Sequence, residues 1–231
     1  MKKVIKKIVH RKFYLYLKKV YKHHKISFSQ EGEDILLDHL FLGKNNGFYI
    51  DIGAYHPQRF SNTYNFYLKG WRGLNVDATP GSMKKFNEIR IHDINIETAI
   101  GSKKEVIDFY ITNEGAMNTA NEEIKSTLDF HKEYNVEREI KVKSTTLKEI
   151  FRLYLPKNTK IDFMSIDIEG NDLKALQSND WEMFRPKYLC VEDSQRDVQS
   201  SLNSEISLFM KKNDYSFICR TFKTSIFKDL L

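Results

Sequence analysis

Cysteine, proline and glycine are all scarce in the 231-residue sequence, which has two, four and ten of them respectively. Each scarcity excludes something. Cys190 and Cys219 lie in apolar, strand-like runs and form no metal or redox spacing. They read as core thiols of a protein in a reducing compartment, not as part of a disulfide framework. No Gly/Ser/Pro-rich linker interrupts the chain, so its length is read as one α/β domain, residues 26–231, preceded by a short extension, residues 1–25. No run approaches the ~20 apolar residues that span a bilayer. Lysines break every early apolar run before a signal peptide can form, so a cytoplasmic protein is expected. Repeats are absent.

Acidic residues are missing from the first 25 positions, which hold ten Lys/Arg. The other 206 residues therefore carry 27 of the 37 bases against 31 acids, a net of −4. A mildly acidic body argues against a nucleic-acid partner. In the leader, Ile5, Ile8, Phe13, Leu17 and Val20 approximate a helical stripe among lysines. Such a helix suits peripheral contact with an anionic membrane face, docking on a partner, or packing on its own domain. Oligomeric state is not written in any feature.

What is present, with 41% apolar and 13% aromatic residues, is ample for a packed core. "FSQEGEDILLDHLFLG" reads as a helix capped by Ser29 and stopped at Gly43. "GFYIDIG" is a first strand, Ser61 to Lys69 its helix, and "RGLNVDATP" a second strand, with Pro80 opening the next helix. "INIETAIGS" is read as a third strand and "KEVIDFYIT" as an outer one. The polar stretch 113–138 is irregular with some helix, and "IKVKSTTLKEIF" is a strand and helix. "KIDFMSIDIEG" and "PKYLCVEDS" are buried-type strands, a helix runs from Leu202 to Lys211, and "YSFICRTFKTSIF" is a hairpin. Alternating strands and helices predict a mostly parallel sheet covered on both faces.

Such sheets bind ligands beyond the carboxyl ends of their strands. Four of those ends here carry acids: Asp51, Asp77, Asp167, and Glu192 with Asp193. Asp77 stands 26 residues after Asp51, where an acid accepts hydrogen bonds from ribose hydroxyls. A pyrophosphate needs G-x-G-x-x-G at the first turn, but this turn reads Gly53-Ala54-Tyr55-His56-Pro57. With Asp51 beside it, the turn suits a cationic sulfonium better than a diphosphate. This counts against a nicotinamide oxidoreductase and for S-adenosylmethionine.

"SQEGED", "FYIDIGAYHPQRFSNTYNFYLKGWRGLNVDATP", "TAIG", "TTLKEIF", "IDFMSIDIEGNDLKAL" and "RTFKTSIF" occur in an order that resembles FkbM-type methyltransferases over roughly residues 27–231. The resemblance implies a class I, Rossmann-like methyltransferase fold with S-adenosylmethionine as donor. It also implies O-methylation of a sugar, glycan or other small-molecule hydroxyl, often in bacterial polysaccharide biosynthesis. By that resemblance Asp51, Gly53 and Tyr55 border the methionine part of the donor, and Ser61 and Asn62 stand at the helix start above it. Asp77 holds the ribose, Ala99 to Gly101 flank the adenine, and Gln30 and Asp34 close over the donor.

Methyl transfer needs an aligned acceptor oxygen relieved of its proton. Asp167 and Glu169 of "DIEG", with Glu192, are candidate catalytic carboxylates; Asp167, Glu192 and Asp193 could alternatively ligate Mg²⁺. His56 is a further candidate base, balanced against a hydrogen-bonded loop histidine. The other histidines, including His23, His24 and His131, show no ligand spacing. Stretch 114–134 reads as a lid or acceptor-binding insert, with Asn118 and Thr119 as contacts, or as a plain surface excursion. A base-methylating enzyme would carry an N/D-P-P-Y/F element where "DIEG" stands. A non-catalytic binding protein on the same fold is the remaining alternative.

Overall fold

The computed structural model describes residues 25–128 and 133–231. The expected leader helix, His23, His24 and His131 lie outside them. The elements run α1 (Glu33–Leu40), β1 (Phe48–Ile52), α2 (Tyr64–Leu68), β2 (Arg72–Asp77), α3 (Ser82–Ile89), β3 (Ile94–Glu97), β4 (Ala99–Ile100) and β5 (Glu105–Thr112). A 3₁₀ turn (Gly115–Met117), α4 (Glu122–Leu128), β6 (Val136–Thr145), α5 (Leu147–Tyr154), β7 (Phe163–Ile166), α6 (Asp172–Gln177) and β8 (Tyr188–Glu192) follow. The chain closes with α7 (Val198–Leu202), α8 (Glu205–Lys212), β9 (Tyr215–Arg220) and β10 (Thr224–Asp229).

Seven strands form one sheet in the order β3-β2-β1-β7-β8-β10-β9. The first five are parallel; β10 runs antiparallel between β8 and β9. The strand order reverses between β1 and β7, and this mostly parallel sheet with its helices is a Rossmann-like methyltransferase fold. The two-residue side-chain period sorts the core. Tyr49, Phe163 and Tyr188 are register partners and face one side with Leu37, Phe41, Phe66 and Trp71. Ile50, Met164 and Leu189 face the other, against Leu147, Ile150, Phe151, Leu176 and Met210. Cys190 is buried and Cys219 half-buried, both as free thiols.

Three local readings are corrected. Ser29 is not the cap residue of the first helix, which is Gly32 at φ +90°; from outside the helix its Oγ donates to Asp34 Oδ1 at 2.8 Å and accepts the amides of Gly32 at 3.1 Å and Asp34 at 3.4 Å. "INIETAIGS" is two strands, because Thr98 turns the chain by donating its amide to the Asp77 carbonyl at 2.9 Å. β3 thus stays at the edge of the main sheet, while β4 joins β5 and β6 in a separate three-stranded sheet. The helix expected around Leu202 to Lys211 is also two, interrupted where Ser204 caps α8 by accepting from the Ser207 amide.

Candidate active site

Beyond the carboxyl ends of β1, β2 and β7 lies a cleft of ≈ 540 Å³. Its apolar walls come from Ile52, Val76, Ala78, Ala99, Ile100 and Phe109, and its polar groups from Asp77, Thr79, Asn118, Asp167 and Glu169. A wider cavity of ≈ 900 Å³ adjoins it, lined among others by Gln30, Glu31, Glu33, Arg59, Phe60, Asn62, Glu192 and Lys223. Gly53, Tyr55, Ala116, Asp167 and Glu169 border both.

Gly53 is required where the two strand ends meet. Its φ is +81°, and a β-carbon would stand 1.7 Å from the Asp167 carbonyl oxygen. The tight turn returns the chain so that Tyr55 donates its amide to Asp77 Oδ2 at 2.9 Å, while Thr79 donates to Oδ1 at 2.8 Å. Burial raises the Asp77 carboxyl above its ordinary range, and those two amides pull it back. Two amides leave lone pairs on both oxygens, which is the acceptor chemistry a ribose diol needs. Asn118 spans the cleft mouth, with Nδ2 on Thr79 Oγ1 at 3.1 Å and Oδ1 on the Thr112 amide at 2.8 Å.

Asp167, Glu169 and Glu192 converge at the junction of the cavities, with one oxygen of each within 4.8 Å of the others. The turn that aims Glu169 is unusual: Glu169 and Gly170 both have positive φ, +51° and +89°. Asp172 secures it by accepting the amides of Ile168 and Gly170, each at 3.1 Å. From the insert, Thr119 Oγ1 donates to the Glu169 carbonyl at 2.7 Å and Asn121 Nδ2 to that of Gly170 at 2.8 Å.

Burial, then repulsion from Glu192 and Glu169, raises the Asp167 carboxyl well above its usual range, and the nearby Glu192 carboxylate favours its protonated form. Burial and Glu192 push Glu169 up to about 8, offset in part by Lys223. Burial also raises Glu192, with Lys223 again opposing. Asp172 is pushed up to about 7, chiefly by burial. Acids with such raised proton affinity beside a cavity are suited to accept a proton near neutrality.

The structure distributes the remaining sequence candidates unevenly. Gln30 and Asn62 line the wider cavity, with Asn62 Nδ2 on Ser165 Oγ at 2.9 Å. Ala99 lines the cleft, but Gly101 does not, its amide being paired with the Thr145 carbonyl. Asp51 and Ser61 lie behind the walls. Thr63 Oγ1 donates to Asp51 Oδ2 at 2.7 Å, and Ser61 Oγ accepts from the Tyr64 amide to start α2. Asp34 is wholly buried and accepts from Ser27, Ser29 and the Phe28 amide, so Glu31 and Glu33 take its expected place at the cavity. Thr119 is also fully buried, and its hydroxyl donates to the Glu169 carbonyl. Asp193 is no partner of the carboxylate trio: Ser204 and Ser225 donate to its Oδ2, and Glu169 takes its place. His56 borders neither cavity; its Nδ1 accepts the amides of Gln58 and Arg59, and burial lowers its proton affinity.

Sequence reasoning missed Thr79, Phe109, Glu31, Glu33, Arg59, Glu114, Tyr134 and Lys223, all at the two cavities. Glu31 and Glu33 were within reach, since they stand in the same "SQEGED" segment as Gln30. Nothing in the chain marks Lys223. It arrives through the β9–β10 hairpin, where its amide donates to Glu31 Oε2 at 2.8 Å.

No curated protein matches the sequence. Among solved structures, the chain is similar to the methyltransferase FkbM from Methylobacillus flagellatus KT, with a TM-score of 0.52 and 11% identity. That match covers 87% of this chain and 48% of the other, so the chain spans about half of its neighbour's length and the likeness concerns the fold. The profile of the methyltransferase FkbM domain matches residues 51–217, from Asp51 near the end of β1 to the middle of β9. That stretch contains β2, β7, β8 and the carboxylate trio, and the chain belongs to the FkbM methyltransferase family.

Proposed function

We propose that the protein transfers a methyl group from S-adenosylmethionine to a hydroxyl of a sugar or glycan, in the setting of surface polysaccharide synthesis. The observation that carries this reading is the carboxylate trio at the junction of two cavities, with Asp167 and Glu169 bordering both. The residues fit the donor. Asp77 offers free lone pairs toward a ribose, the apolar walls Ala78, Ala99, Ile100 and Phe109 suit an adenine, and the junction carries acid rather than phosphate-binding amides. The bound donor supplies an electrophilic methyl on a cationic sulfur.

Glu169 is the base in this reading. It takes the acceptor hydroxyl's proton as the new carbon–oxygen bond forms and the carbon–sulfur bond breaks, leaving a methyl ether and S-adenosylhomocysteine. Protonated Asp167 holds Glu192, and Lys223 stabilises the charge that remains on the pair. Asn62, Gln30 and the rings of Phe60 and Tyr134 offer the mixture of amides and apolar faces that suits a sugar ring. Mg²⁺ on Asp167, Glu169 and Glu192 is the second way to neutralise the cluster, favoured by the convergence of three carboxylates. Activity that survives EDTA removes it.

The methyltransferase unit is residues 26–231 in this reading, and the basic stretch 1–25 brings it to an anionic membrane face. No helix among the described residues is long and apolar enough to cross a membrane. The test incubates the protein with methyl-labelled S-adenosylmethionine and the surface glycan fraction of cells lacking the gene. Label entering the glycan, with a mass gain of one methylene, supports the reading; label transfer to nucleic acid alone would sink it. Asp77→Ala abolishes the calorimetric heat of donor binding.

A further inference from the structure

Tyr55 borders both the donor cleft and the acceptor cavity, and it does so in a left-handed backbone conformation, φ +51°. A residue with a β-carbon stays there only when its surroundings hold it. The groups that hold it come from three segments. Its amide is tied to Asp77, as described above. Its hydroxyl donates to Glu114 Oε1 at 3.0 Å and accepts from Arg59 Nη1 at 2.6 Å. Arg59 binds both oxygens of Glu114, at 3.1 and 2.9 Å, and its guanidinium lies 4.3 Å from the centre of the Phe60 ring. From the insert, Gly115 presses so close that a β-carbon would stand 3.1 Å from the Tyr55 ring.

We propose that Arg59 and Glu114 are positioning residues for methyl transfer, fixing Tyr55 as the common wall between donor and acceptor. The inference rests on the assignment of the cleft to S-adenosylmethionine. A wall that borders both reactants sets their separation, and reaction rates fall steeply when that separation loosens. The ion pair that fixes it is half-exposed, the side chains being 48% and 30% accessible, so it contributes little to folding. A half-exposed pair with four hydrogen bonds to one tyrosine and one partner is thus better explained by placement than by stability. Arg59 holds the Glu114 carboxyl down to about 2, which keeps the pair charged at any working pH.

The same residue also couples the two sites. The Tyr55 amide reaches the donor-side carboxylate Asp77 and its hydroxyl reaches the acceptor-side pair. Disturbing Glu114, which touches only the wider cavity, is therefore expected to be felt in the donor cleft.

The experiment titrates S-adenosylhomocysteine into the full chain by calorimetry and follows thermal melting in parallel. Glu114→Ala and Arg59→Ala are expected to melt close to the parent yet bind about tenfold more weakly, the loss expected for a charged hydrogen-bonding pair. The double variant is no weaker than either single one, and Glu114→Asp recovers part of the affinity. Tyr55→Phe, which removes only the hydroxyl, reproduces the loss and serves if an alanine variant fails to fold. Folded variants that bind as the parent does overturn the proposal. A parent chain that binds no S-adenosylhomocysteine overturns the donor assignment itself, and the proposal with it.

Discussion

Two groups of buried acids belong to the same sheet, and their surroundings set them apart. Asp51 and Asp93 flank the wholly buried Arg90, whose Nη2 donates to Thr63 Oγ1 while Thr63 donates to Asp51. Asp93 lies 3.6 Å from Arg90 Nε and also accepts from Tyr49, Gly73 and Asn75. The rings of Tyr49, Tyr64, Tyr67 and Phe86 surround the guanidinium at 5.1–5.9 Å. In that region every carboxylate has donors and a cation. Asp167, Glu169 and Glu192 have each other, one lysine and open space. Burial raises the proton affinity of both groups, but only the acids beside a cavity can exchange a proton with a bound ligand.

Glu169→Gln probes the cavity side and carries the largest expected effect. Methyl transfer to the glycan fraction falls by about 10²- to 10⁴-fold, the usual span for a lost general base, while donor binding is retained. Because the variant also removes a carboxyl that resists ionisation, its melting temperature at pH 9 rises above that of the parent. A variant that keeps its transfer rate would move the base elsewhere.

Arg90→Leu probes the enclosed side. Removing one member of a buried charged group leaves Asp51 and Asp93 uncompensated, at about 3–5 kcal/mol, measured by urea unfolding. Any folded fraction still binds S-adenosylmethionine, since Arg90 borders neither cavity. Loss of binding without loss of stability would erase the distinction between the two regions.

The smallest effect is one of pH. Glu169 titrates near 8 when folded against an ordinary 4.5, so the folded state binds more protons between those values. Stability is then greatest below pH 4.5 as far as this group is concerned, and its share is lost as pH rises through about 8. Asp51, pushed up to about 6 chiefly by burial, adds loss in the same direction over the lower part of that window. Transfer runs the other way, rising as Glu169 ionises, with a midpoint at or below 8 because the donor's positive charge favours the carboxylate. Unfolding free energies and initial rates across pH 5–9 check both slopes; an activity that falls toward pH 8 would contradict the assigned base.

Much of the fold was readable because its signals are local. Apolar runs such as "YLCVED" and "DFMSID" match the buried strands β8 and β7, and Gly70 and Gly43 sit where helices stop. The split of "INIETAIGS" was not readable, since both halves have equal strand character and only Thr98's bond to the Asp77 carbonyl separates them. At the site, strand-end acids were found but not sorted. Asp51, Asp77 and Asp167 look alike in sequence; what distinguishes them is whether Thr63, a pair of amides or Glu192 stands opposite.

By itself, the sequence determined which residues sit at the carboxyl ends of the strands and that the first turn lacks the glycine pattern of a diphosphate site. Both follow from residue types alone: the apolar runs that lead into Asp51, Asp77 and Asp167, and the single glycine, Gly53, in the turn before Pro57. The tertiary structure alone decided which acids face a cavity and which face Arg90, and that Lys223, Arg59 and Glu114 reach the site. Those contacts join segments distant in the chain, and the charge state of a buried acid depends on what surrounds it in space, not on its neighbours in sequence.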